Sequence, residues 1–132
     1  MYDTATNVKA HILLVDDSGF ARRTLRQIVE KAGYTVDEAK DGMEALERYA
    51  LHKPDIVLLD MVMDGMKGME VLMKLRELDA EAKIVLATAD IQASTKSEAQ
   101  AAGASGMISK PFQGEQVLQA VETVGAGGAA WN

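Results

Sequence analysis

Pro54-Asp-Ile-Val-Leu-Leu-Asp-Met-Val-Met-Asp-Gly-Met-Lys-Gly68 is the stretch from which the fold can be read. Ile56 to Leu59 are uninterrupted apolar residues, the pattern of a central parallel strand buried on both faces, and Asp60 is the first charge after them. A carboxylate is thereby set on the carboxyl end of a strand. In open α/β sheets, ligands bind outside that edge, where the strand order reverses.

Working outward, Ile12 to Val15 repeats the pattern and also ends in acid, Asp16-Asp17. Ser18 can cap the next helix, whose apolar residues Phe20, Leu25, Ile28, Val29 and Ala32 are read as its inward stripe, with Gly33 as its end. Arg22, Arg23, Arg26 and Lys31 lie mostly off that stripe and read as a solvated face rather than a dock for an acidic partner. Tyr34 to Ala39 alternates, as an edge strand does. Asp41 caps a second helix with Met43, Leu46, Tyr49 and Ala50 inward, and His52 reads as a surface residue.

Beyond Gly68, a third helix carries Val71, Leu72, Leu75 and Leu78, and the strand Ile84 to Ala87 ends in Thr88-Ala89-Asp90. The following helix, roughly 91–102, has only Ile91, Thr95, Ala99 and Ala102 as a thin stripe, so it is expected to be the most mobile helix. A short strand, Met107 to Ser109, leads to Lys110-Pro111 and a last helix with Val117, Leu118, Val121 and Val124. Five alternations of strand and helix predict a doubly wound α/β domain, with helices on both faces of a five-stranded parallel sheet. The expected boundaries are a flexible arm at 1–10, one domain at 11–124 and a flexible tail at 125–132, with Trp131 an exposed aromatic on that tail.

A formal charge of -6 and a pI near 4.9 argue against direct nucleic-acid binding, which draws on lysine and arginine. The absence of cysteine removes disulfides, thiolate zinc sites and cysteine nucleophiles. No apolar run approaches membrane-spanning length and the opening residues lack a secretory core. The expectation is a cytoplasmic protein with no membrane insertion.

Asp16, Asp17, Asp60, Thr88 and Lys110 all fall at or next to the end of a buried strand, on one side of the sheet. Each has an ordinary reading alone, as a cap, a turn residue or a solvated charge, and their joint placement outweighs it. Three converging carboxylates would repel unless a cation intervened, and magnesium suits oxygen ligands while keeping an open position. A lysine and a hydroxyl facing such a metal are suited to a phosphoryl group, whose charge spreads over three oxygens. Asp60, central among the five, is the chosen nucleophile, because an ionised carboxylate needs no general base.

Ile12-Leu-Leu-Val-Asp-Asp-Ser18, Asp41-Gly-Met-Glu-Ala-Leu46, Pro54 to Asp60 with Met63 and Gly68, Thr88-Ala89, and Gly103-Ala-Ser-Gly106 with Lys110-Pro111-Phe112 carry a resemblance. Together they resemble the receiver domain of two-component response regulators, of the stand-alone chemotaxis type. The resemblance implies a flavodoxin-like sheet of order 2-1-3-4-5 with five helices. It implies that a histidine kinase or histidine phosphotransferase phosphorylates Asp60. Magnesium (Mg2+) would be held by Asp17 directly, Asp16 through water, Asp60 and the Val62 backbone carbonyl, while Thr88 and Lys110 would hold the phosphoryl oxygens. The Lys110-Pro111 bond would be cis. The chain would not be an enzyme beyond its own phosphorylation and dephosphorylation, and would signal by binding a downstream protein, with a phosphatase as a further partner.

Three departures from the family pattern bear on switching. Met107 stands where many relatives carry a tyrosine or phenylalanine that turns inward as Thr88 shifts, and methionine can fill either arrangement. Asp64 stands where the family often has proline. Val62 and Asp90 flank the pocket at positions that tune dephosphorylation in relatives. Alternatives are a phosphorelay carrier or phosphate sink, or the receiver fragment of a longer regulator. A magnesium-dependent aspartyl-phosphate hydrolase is a weaker candidate, since it usually wants Asp-x-Asp on the first strand and this chain has Asp16-Asp17-Ser18.

Overall fold

The structure, a computed structural model, describes residues 10–89 and 92–131. Strands β1 (His11–Val15), β2 (Thr35–Ala39), β3 (Ile56–Asp60), β4 (Ile84–Thr88) and β5 (Gly106–Ser109) alternate with helices α1 (Gly19–Lys31), α2 (Gly42–His52), α3 (Gly68–Leu78), α4 (Ala93–Ala101) and α5 (Gly114–Gly125). All pairings are parallel and the sheet order is β2-β1-β3-β4-β5. The doubly wound flavodoxin-like fold is therefore present, with β2 on an edge as its alternation predicts.

Side chains along a strand point to opposite faces in turn, and the three central strands use that period to build two cores. Leu13, Val15, Val57, Leu59, Ile84 and Leu86 meet Tyr49 of α2, Leu72 and Leu75 of α3 and Ala99 of α4. Ile12, Leu14, Ile56, Leu58, Val85 and Ala87 meet Leu25 and Val29 of α1 and Val117, Val121 and Val124 of α5. Burial on both faces is why these strands read as continuous apolar runs.

Several inward stripes need correction. Phe20, 76% exposed, stands five residues before Leu25, about 140° round the helix from the buried face. In α2 the buried residues are Gly42, Ala45 and Tyr49, while Met43 and Ala50 face solvent. Leu78, in the last turn of α3, is also exposed. Arg22 and Arg26 are not simply solvated, since both clasp Glu38 of β2. His52 bonds the Asp37 carboxylate through Nδ1, a partner 15 residues away that sequence spacing could not show. For α4, Ala99 is buried and Ala102 partly so, whereas Ile91 lies outside the described residues.

Three helices end alike. After α1, α4 and α5, the positive-φ glycines Gly33, Gly103 and Gly127 donate to Glu30, Gln100 and Val124, and the next residue in each case donates back to Val29, Ala99 or Thr123. This paired 5→2 and 6→1 arrangement satisfies the last helical carbonyls and reverses the chain. After α5, the reversal sends the chain back along β5, where Ala130 pairs in parallel with Gly106. The expectation of an unstructured stretch at 125–132 is thus corrected for 125–131, and Trp131 packs against the core. Of the expected arm at 1–10, only Ala10 is described. Among the described residues, no helix is long and apolar enough to cross a membrane.

Candidate functional site

β1 and β3, adjacent at the centre of the sheet, end in the acids, and β4 and β5 end in Thr88 and just before Lys110. Asp16, Asp60 and Thr88 are the buried polar residues among those described, in a molecule whose other polar groups lie largely outside. The structure brings Asp16, Asp17 and Asp60 together, with one carboxylate oxygen from each within 4.8 Å of the others. Lys110 Nζ reaches between two of them, 3.1 Å from Asp60 Oδ1 and 3.2 Å from Asp16 Oδ2. The Lys110-Pro111 peptide is cis.

The surrounding backbone fixes each acid. Ser18 N–H donates to Asp16 Oδ1 at 2.9 Å, and the Ser18 hydroxyl caps α1 by accepting from Ala21 N–H at 3.1 Å. Arg22 donates to the Asp16 carbonyl at 2.6 Å, a contact that the off-stripe position of Arg22 did not reveal. Val62 N–H donates to Asp60 Oδ1 at 3.3 Å, while the Val62 side chain is 69% exposed. Asp64 N–H donates to Asp17 Oδ2 at 3.1 Å. A proline there, as in many receivers, would have no hydrogen to give, so this departure adds a clamp on the most exposed acid. Gly68 closes the loop: a Cβ at that position would lie 2.4 Å from the Asp60 carbonyl oxygen.

Electrostatics follow from this packing. Burial, and then the charge of Asp16, hold the Asp60 carboxyl above the ordinary carboxylate range, against the lowering effect of the Lys110 bond and the Val62 amide. Burial alone would lower the Lys110 ammonium, but its bonds to Asp60 and Asp16 outweigh that and raise it. Among the described residues, one ammonium bonded to two of these three carboxylates leaves negative charge uncompensated. The donor set is all oxygen and two of its three members are buried, which fits a small hard divalent cation. Met107 is 5% exposed on β5, in the same apolar cluster as Leu86 of β4. Asp90 lies outside the described residues.

Comparison with known proteins agrees with this architecture. The response regulator receiver domain model matches residues 12–122. The chain is 42% identical over 113 residues to the chemotaxis protein CheY of Halobacterium salinarum, covering 86% of this chain and 94% of that one. It is 42% identical over 114 residues to CheY of Thermotoga maritima, covering 86% and 95%. Among solved structures it is similar to that of the CheX-CheY-BeF3-Mg complex from Borrelia burgdorferi, with a TM-score of 0.87, 34% identity and coverage of 92% and 93%. The resemblance carried by the strand-end acids, the threonine and the Lys-Pro pair is therefore one of descent as well as pattern: the chain belongs to the response regulator receiver domain family.

Proposed function

We propose that this chain is a stand-alone response regulator that accepts a phosphoryl group on Asp60 and signals by binding another protein, in a chemotaxis or motility pathway. The observation that carries this is the position of Asp60 Oδ1, buried yet at the mouth of the sheet, with Lys110 Nζ at 3.1 Å and two further carboxylates beside it. Near-complete coverage of the two chemotaxis proteins, at 42% identity to each, supports the chemotaxis reading.

An Asp60 oxygen attacks the phosphorus of a phosphohistidine on a kinase or phosphotransferase. A P–O bond forms as the P–N bond breaks, and the electron pair stays on the leaving imidazole nitrogen. Lys110, already aimed at Asp60, pairs with a phosphoryl oxygen, and Thr88 offers its hydroxyl to another. Asp16, Asp17, Asp60 and the Val62 carbonyl would hold Mg2+, which when bound supplies neutralisation of charge on the phosphoryl oxygens. The Val62 side chain, exposed two residues after Asp60, would obstruct an attacking water or a phosphatase and so tune the lifetime of the product. The chain thus acts chemically only on its own aspartate.

Phosphorylation adds roughly 1.5 to 2 negative charges at Asp60. Thr88, in register with Ser109 of β5, shifts toward them, and Met107 follows as the adaptable side chain behind it.

The test is incubation with magnesium and acetyl phosphate, read by intact mass. A single phosphoryl adduct is expected on the wild type and none on Asp60→Asn. Equal labelling of the two proteins would overturn the assignment.

A further inference from the structure

β5 is an edge strand, and such a strand presents unpaired backbone groups that invite another strand. Here the chain covers part of that edge with its own carboxyl-terminal residues. Met107 N–H donates to the Ala130 carbonyl at 2.9 Å and Ala130 N–H donates to the Ser105 carbonyl at 3.0 Å. Lys96 of α4 donates through Nζ to the Trp131 carbonyl at 3.3 Å, and the Trp131 side chain packs on the cluster that contains Met107. The fit is close: a Cβ on Gly106 would lie 2.5 Å from the Ala130 carbonyl oxygen and 2.9 Å from the Ala130 methyl. Only glycine admits the strand at that position.

The cover stops short. Ile108 and Ser109 open instead into a groove of about 470 Å³ between β5 and α5, with Ala129 and Ala130 as its far wall. The strand is therefore paired in cis at Gly106 and Met107 and borders the groove from Met107 to Ser109.

We propose that residues 129–131 are a cis-acting strap on the β5 edge, which charging of Asp60 loosens. This rests on Asp60 being the phosphoacceptor. The link is short: Met107 holds the strap through its amide, and Lys110, three residues further along, is held by Asp60. Three residues of strand span about 10 Å. A new phosphoryl group that draws Lys110 and Thr88 inward moves the strand that carries the strap.

Trp131 is the single tryptophan of the chain and reports on the strap directly. In acrylamide quenching of the full chain, Trp131 should be shielded in the wild type and approach free tryptophan in Gly106→Ala. Should that variant fail to fold, removal of residues 129–132 gives an independent reading, because the Met107 amide should lose its protection from hydrogen exchange. Wild-type Trp131 as accessible as free tryptophan, or a Met107 amide equally protected with and without the tail, would overturn the strap.

Release is tested with magnesium and beryllofluoride, with adduct formation followed by fluorine NMR. Trp131 should become more accessible in the wild type and stay unchanged in Asp60→Asn. An adduct that leaves Trp131 shielded overturns the release and leaves the phosphoacceptor standing. No adduct on the wild type overturns both.

Discussion

Lys110 Nζ lies 3.1 Å from Asp60 Oδ1, joining the end of the last strand to the end of the central one across 50 residues of sequence. Among the described residues, that ammonium is the cation bonded to the buried carboxylates of the acidic pocket. In Lys110→Met, which keeps much of the stem, a charge-assisted hydrogen bond of about 1.5–3 kcal/mol to the bound anion is lost. Beryllofluoride affinity, titrated in the presence of magnesium, should fall roughly 10- to 100-fold. Unchanged affinity would mean that Lys110 neutralises the resting acids and takes no part in holding the ligand.

Asp60 should make the metal-free protein less stable at neutral pH. Its carboxyl sits above the ordinary range because of burial and then Asp16, so between about pH 4 and its folded value the native state binds more protons than the unfolded one. Stability therefore falls as pH rises through that window and stays reduced above it. Asp60→Asn should raise the Tm of the metal-free protein at pH 7 by on the order of a few degrees. The gap should narrow below pH 4 and when magnesium saturates the wild type; a lower Tm for the variant in the chelated protein would contradict the account.

Gly68→Ala places a methyl 2.4 Å from the Asp60 carbonyl oxygen and 2.6 Å from Met61 Cα, both backbone atoms that cannot swing aside. The loop must move as a unit. Urea unfolding should show a loss of about 1–3 kcal/mol, the usual cost of overpacking. Metal affinity should fall with it, since the same loop carries the Val62 carbonyl and the Asp64 amide.

Glu38 should set part of the acid sensitivity of the fold. Burial would raise its carboxyl, but the bonds to Arg26 and Arg22 prevail and hold it below the ordinary range. A depressed acid contributes stability that is present above its unfolded value and is lost as pH falls through its folded value. Because the pair is partly solvated, Glu38→Gln should cost no more than about 1 kcal/mol at pH 7. The difference from wild type should vanish in acid, as followed by denaturant titration at a series of pH values.

The sheet and the strand-end acids were legible because doubly buried strands leave an unmistakable pattern: Ile56 to Leu59 and Ile12 to Val15 are apolar throughout and are followed at once by charge. The helices were less so. Apolar character alone points Phe20 and Met43 inward, although helical spacing from Leu25 and Tyr49 sets the buried face; Leu78 does share the stripe of Val71 and Leu75, but as the last residue of α3 it is exposed. Contacts such as His52 with Asp37 join residues from different elements, so no local spacing announces them. The tail is less legible for another reason. Gly125-Ala-Gly-Gly128 looks like a flexible linker by composition, yet a glycine two residues beyond a helix end is also the mark of a chain reversal, which Gly33 and Gly103 already illustrated.

The path of the final residues fixes where anything attached to this protein would emerge. A fluorescent reporter fused after Trp131 would start its linker beside Lys96 and β5, at the proposed strap. One fused directly ahead of Ala10 would start before the first residue of β1, a strand's length from Asp16 and three strands away from β5 in the sheet. The two placements are not equivalent reagents: the first would crowd the strap and the β5 edge, and the second would leave them unencumbered.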